Sequence, residues 1–205
     1  MLDVLREADT NDLRKARGAF FTPSAVADYI ASWAMTEGTS RVLEPSCGEA
    51  TFLVSADRFA KERSLPDVHY SGVELFETSA RFAEMLLAEA GVEADVRVSD
   101  FFNVAPQPVY DCVIGNPPFI RYQEHSGESR ERSRTAASAA GVELSELASS
   151  WAAFVVHSAQ FLRRGGRLGL VLPAELLSVN YAAPVRRFLL ESFQKVELVL
   201  FGERV

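Results

Sequence analysis

With 205 residues, 48% of them hydrophobic, the chain suits one α/β domain with a sizeable core and leaves little room for a second. No apolar run approaches the roughly 20 residues of a membrane span, and Met1 to Lys15 is charged rather than patterned as a signal peptide, so the expected location is cytoplasmic. A net charge of −7 argues against a surface that grips duplex DNA unaided through many phosphate contacts.

In chain order, Thr22-Pro23 can cap and open a helix whose apolar face carries Val26, Ile30 and Trp33. Arg41-Val42-Leu43-Glu44 reads as a first strand, followed by a helical pattern, and Tyr70 to Leu75 as a second. A helix from about Thr78 carries Phe82, Met85, Leu86 and Ala90, with Gly91 as its stop, and a third strand lies near Asp95 to Val98. Tyr110 to Ile114 is a fourth strand, ended by Gly115-Asn116-Pro117-Pro118-Phe119, since two prolines remove ladder donors.

From 123 to 150 the chain is rich in Ser, Glu, Arg and Ala and nearly free of large apolar residues, so a mobile loop with some helix and little share in the core is expected. Trp151 to Leu162 then reads as a helix, Gly165-Gly166 as a turn, Arg167 to Leu172 as a fifth strand, Pro184 to Phe193 as a helix and Val196 to Phe201 as a sixth strand. This alternation predicts β-α-β units on a mostly parallel sheet with helices on both faces. A helical segment, 1–38, would pack on a catalytic domain, 39–205. Cys47 and Cys112 stand apart, without metal-type spacing, and read as reduced structural thiols; no metal site is expected.

The strand ends carry the chemistry. Glu44-Pro45-Ser46-Cys47-Gly48-Glu49-Ala50 is a strand, a tight turn and a helix start, where a ligand can approach backbone closely. Glu74, ending the second strand, can accept hydrogen bonds from ribose hydroxyls. Asp100 and Phe101 after the third offer an acceptor for an exocyclic amino group and an aromatic face for a purine. Asn116 through its side-chain oxygen, and Pro117 through its carbonyl, can each accept one hydrogen of a planar amino group, with Pro118 holding that carbonyl rigid. Phe119 can stack on a base flipped out of a duplex, or be an ordinary core aromatic. Arg121, Tyr122, Arg130, Arg132 and Arg134 either order over phosphates or form a solvated surface whose charge Glu124, Glu128 and Glu131 nearly cancel; the second reading is the stronger. His69, His125 and His157 show no ligand spacing.

Phe20-Phe21-Thr22-Pro23, Glu44-Pro45-Ser46-Cys47-Gly48, Glu74, Asp100 and Asn116-Pro117-Pro118-Phe119 together resemble the adenine-N6 DNA methyltransferases of the gamma motif order, over about Gly18 to Phe201. The resemblance implies a Rossmann-like class I methyltransferase fold and S-adenosylmethionine as cofactor. Phe21, Thr22, Pro23 and the turn of Glu44, Pro45, Ser46, Cys47 and Gly48 would hold its methionine part, Glu74 with Leu75 the ribose, Asp100 with Phe101 the adenine, and Asn116 would border both cofactor and target. Asn116, Pro117, Pro118 and Phe119 would be catalytic.

Two departures stand out. Ala50 replaces a common second glycine, tolerable if its φ is negative. The family's terminal antiparallel strand, and the target-recognition domain that reads sequence in the major groove, are absent from these residues. DNA contacts would then come from a module or subunit outside the chain, and the open sheet edge permits self-association. The alternatives are a protein glutamine N5-methyltransferase, a catalytically silent cofactor-binding subunit, and a nicotinamide dehydrogenase, which wants a fuller glycine pattern.

Overall fold

A computed structural model describes residues 22–65, 67–119, 127–146 and 148–201. Its centre is a five-stranded, wholly parallel sheet in the order β3-β2-β1-β4-β5, built from β1 (Arg41–Glu44), β2 (His69–Glu74), β3 (Ala94–Val98), β4 (Tyr110–Gly115) and β5 (Leu162–Leu170). The order reverses beside β1, so the carboxyl ends of β1, β2 and β4 border one crevice, where ligands bind in open sheets of this kind.

Strand alternation sorts the core. Val42, Cys112 and Ile114 face α1 (Ser24–Ala34), α2 (Thr51–Glu62) and α3 (Glu77–Glu89), packing with Ala27, Ala31, Phe52, Leu53, Ala83 and Leu87. Leu43 and Val113 face the other way, against Phe101, Phe161 and Phe154 of α5 (Ser150–Ala159). Beyond them α5 meets α4 (Gly127–Ala139), a short α6 (Glu175–Ser178) and α7 (Ala183–Ser192). Both faces are therefore covered, as the alternating sequence pattern requires. Gly91, at φ +65, stands just past α3, and Cys47 and Cys112 are both free and buried. Among the described residues no helix is long and apolar enough to cross a membrane.

At the amino ends of β1 and β4 one carboxylate joins the strands. Asp111 Oδ2 accepts hydrogen bonds from Ser40 N (2.8 Å), Ser40 Oγ (3.0 Å) and Arg41 N (2.9 Å), while Oδ1 pairs with Arg163.

Several sequence expectations need correction. Gly165-Gly166 is not a turn before β5 but lies inside it. Between the pairs Tyr110–Leu162 and Cys112–Arg167, β5 carries three more residues than β4, and Gly165 within this irregularity takes φ +82, which glycine adopts without strain. The expected helix over 151–162 ends at Ala159 so that β5 can begin at Leu162. Val196 to Phe201 forms no strand: it has no ladder partner among the described residues, and Leu200 is 72% exposed. Its neighbour Lys195 pairs with Glu197, which accepts from Trp33 Nε1 at 3.3 Å.

The polar segment after β4 also does more than expected. Its residues 123–126 and 147, with Arg121, Tyr122 and His125, lie outside the described residues, but Gly127 to Ala139 is a helix, and Ala137, Val142 and Leu144 are buried against α5. Small side chains let α4 approach closely, so few large apolar residues are needed to share in the core.

Candidate active site

The floor of the site is the turn after β1. Glu44 is 2% exposed, and its Oε2 accepts the N–H of Leu53 at 3.1 Å, so its charge faces the start of α2. Burial pushes its carboxyl well above the usual carboxylate range, against the N–H groups of Leu53 and Phe52, and nearby Glu74 adds to the rise. Burial also raises the Cys47 thiol, helped by the charges of Glu44 and Glu74, which makes Cys47 a packing residue rather than a nucleophile.

Glu74 is buried at the end of β2. Its Oε2 accepts from Gly48 N (3.0 Å) and its Oε1 from Phe76 N (3.1 Å), so one carboxylate ties the first turn to the second. Gly48 has φ +49, and a Cβ there would meet nothing within 4 Å; the turn presents bare backbone to an open face. Leu75, 53% exposed, flanks that face. Ala50 departs from expectation: its φ is +55, not negative, a left-handed conformation that costs a non-glycine residue about 1 kcal/mol, and its methyl is fully buried. The packed methyl offsets part of that strain.

After β3, Asp100 Oδ1 accepts from Phe102 N at 3.0 Å and opens a 3-10 turn, Phe101–Asn103. His157 braces this turn from below, its Nε2 donating to the carbonyls of Phe101 (3.1 Å) and Val104 (3.2 Å). The Phe101 ring is not the aromatic face expected for a purine. It is 3% exposed, stacked between Phe154 and Phe161 and met edge-on by His157. Core packing claims both its faces.

At the end of β4, Asn116 Nδ2 donates to Thr22 Oγ1 at 3.1 Å. Thr22 therefore serves this contact rather than capping α1, whose N-cap is Pro23 without a side-chain cap bond. With the amide fixed, Asn116 Oδ1 is left buried and without a hydrogen-bond partner among the described residues. Pro117 is fully buried, Phe119 half-buried, and Ser150 Oγ donates to the Pro118 carbonyl at 2.5 Å. Nothing in the sequence pointed to Ser150, since a serine opening a helix is ordinary. Phe21 lies outside the described residues.

The arginines of the polar segment are spoken for. Arg132 faces Asp100 and Glu128, Arg134 faces Glu146, and Arg130 donates to the Glu146 carbonyl. The reading as a charge-balanced surface gains over phosphate binding.

His157 also predicts a pH effect. Burial lowers its imidazole below the ordinary value near 6.5, against the Phe101 and Val104 carbonyls and the charge of Asp100, which pull upward. The unfolded chain therefore takes up this proton first as the pH falls. Its contribution to stability is present above about pH 6.5 and is lost as the pH drops through the lower folded value. Thermal melts between pH 7.5 and 5 should show a falling midpoint, with a shallower slope in His157→Gln; an unchanged slope would remove this assignment.

Glu74, Asp100 and Asn116 thus stand at or just past the carboxyl ends of three parallel strands, and Glu74 holds the bare glycine turn that follows a fourth. The model of the N-6 DNA methylase family matches residues 4–201. The chain belongs to that family. Among its relatives, the type II methyltransferase M.BanIII of Aneurinibacillus aneurinilyticus is 25% identical over 216 residues, covering 93% of this chain and 36% of that protein. A type I restriction-modification methyltransferase subunit from Streptococcus thermophilus superposes with a TM-score of 0.67 at 23% identity, over 84% of this chain and 38% of that one. A Listeria monocytogenes protein described as a candidate class I S-adenosylmethionine-dependent methyltransferase gives 0.68 at 17% identity, over 93% and 59%. The fold of this N-6 DNA methylase family member is thus the class I methyltransferase fold, and the chain spans about a third of the length of the curated relatives it matches.

Proposed function

We propose that this chain transfers the methyl group of S-adenosylmethionine to the N6 amino group of adenine in DNA. The observation that carries the reading is Asn116, whose side-chain oxygen is buried, unpartnered among the described residues and aimed by Thr22.

Three features support this cofactor reading: Gly48 leaves open space, Glu74 is an acceptor at the turn, and Asp100 stands after the next strand. Pro45, Ser46 and Cys47 complete the turn, and Leu75 offers an exposed apolar surface beside it. When bound, S-adenosylmethionine supplies a methyl group on a sulfonium leaving group. Adenine N6 is a weak nucleophile because its lone pair is delocalised into the ring. Asn116 Oδ1 and the Pro117 carbonyl each accept one N6 hydrogen, which concentrates electron density on nitrogen and directs its lone pair at the methyl. Phe119 stacks on the flipped base, and the surplus N6 proton leaves to water.

With a net charge of −7, phosphate contacts and sequence readout fall to a basic module or subunit outside these residues. The N-6 DNA methylase description favours DNA over a protein glutamine as substrate.

The test is transfer of a radiolabelled methyl group to duplex DNA by the protein at its full natural length, followed by digestion to nucleosides. Label in N6-methyldeoxyadenosine is expected. Label in a methylcytosine, or in protein glutamine, would overturn the reading.

A further inference from the structure

Helix α4 follows the Asn116–Phe119 turn in sequence, yet it reaches back to the end of β3. Arg132 Nε stands 3.2 Å from Asp100 Oδ2, the two side chains 39% and 14% exposed. That Nε is buried and its geometry completes no hydrogen bond, so the contact is an ion pair. On its other side Arg132 Nη1 lies 3.6 Å from Glu128. The arginine is not carried on a free loop, because Ala137 of the same helix packs with Val142, Leu144 and α5. Asp100 is thus constrained from two directions: Phe102 N–H holds Oδ1 and Arg132 attracts Oδ2.

A carboxylate offers about four acceptor positions, so these two contacts fix its plane and leave lone pairs available. We propose that Arg132 is a positioning residue for cofactor recognition: it holds the Asp100 carboxylate so that a remaining lone pair meets the 6-amino group of the cofactor's adenine. The inference rests on the reading of Asp100 as the adenine contact. It makes α4 part of the cofactor site.

The experiment compares S-adenosylhomocysteine with S-inosylhomocysteine, in which a carbonyl replaces the 6-amino group, by calorimetry on wild type, Arg132→Met and Arg132→Lys. Wild type should prefer the adenosyl compound. Arg132→Met should weaken that compound by about tenfold and leave the inosyl compound within about twofold, so that discrimination shrinks. Arg132→Lys, which keeps the charge, should restore part of it. Melting midpoints should stay close to wild type, because a half-exposed ion pair contributes little to stability.

Equal weakening of both compounds would reduce Arg132 to a structural role and overturn the proposal. Tighter adenosyl binding in Arg132→Met would also overturn it, by showing that the arginine competes for Asp100. A wild type that binds both compounds equally, or neither, removes the Asp100 reading itself and the proposal with it.

Discussion

Replacing Asn116 with alanine should lower methyl transfer by roughly 100- to 1000-fold, the usual cost of removing one preorganised polar group from the reacting centre. The reason is the state of its amide: Nδ2 is committed to Thr22 Oγ1 at 3.1 Å, and Oδ1 has no partner among the described residues. A buried acceptor left open costs free energy in folding unless something else claims it, so its natural partner is an incoming donor. Asn116→Asp keeps an acceptor and should retain more activity than Asn116→Ala. Thr22→Val removes the group that orients the amide and should cost about tenfold, since the oxygen survives but its aim does not. Single-turnover transfer to duplex DNA, beside calorimetry with S-adenosylhomocysteine, checks all three. If Asn116→Ala loses cofactor affinity by the same factor as transfer, Asn116 serves the cofactor and not the target base.

The second large effect concerns stability and lies at the opposite ends of the same strands. Asp111→Ala should cost about 3–5 kcal/mol, because it strands Ser40 N–H, Arg41 N–H, the Ser40 hydroxyl and Arg163 around a small cavity. For a chain of this size that corresponds to a midpoint lower by roughly 10 °C. Burial by itself would raise the Asp111 carboxyl. The two N–H groups, the hydroxyl and Arg163 outweigh burial and hold it below its usual range. The stabilisation is therefore complete above the ordinary carboxylate pKa of about 3.9 and is lost as the pH falls through the lower folded value. Thermal melts at pH 7, at about pH 4 and at about pH 2.5 should show the mutant's deficit kept at pH 4 and shrinking only below it, as the carboxylate takes up its proton. A mutant as stable as wild type at pH 7 would mean that the cluster is not what joins β1 to β4.

These expectations draw on different levels of information. By itself the sequence determined β1 to β4 to within about one residue at each end, and which side chains stand near their carboxyl ends. Those features obey local rules: apolar runs of strand length, glycine at turns, and two prolines that no strand interior accepts. Glu44, Gly48, Glu74, Asp100 and Asn116 were legible for that reason. Tertiary structure decided what depends on partners distant in the chain. Val196 to Phe201 has the composition of a strand, but a strand exists only by pairing, and no ladder partner among the described residues meets it. Phe101 is aromatic beside an acceptor, but the rings that enclose it come from α5 and the residues just beyond it, some 50 to 60 positions later. Gly127 to Ala139 looked too polar for the core, yet its Ala137 packs there because another helix is shaped to receive it. The sign of Ala50's φ, the aim of Asn116 by Thr22 and the approach of Arg132 to Asp100 belong to the same class. Each is set by the closing of the chain on itself, where the burial of many groups at once outweighs the preference of any single residue.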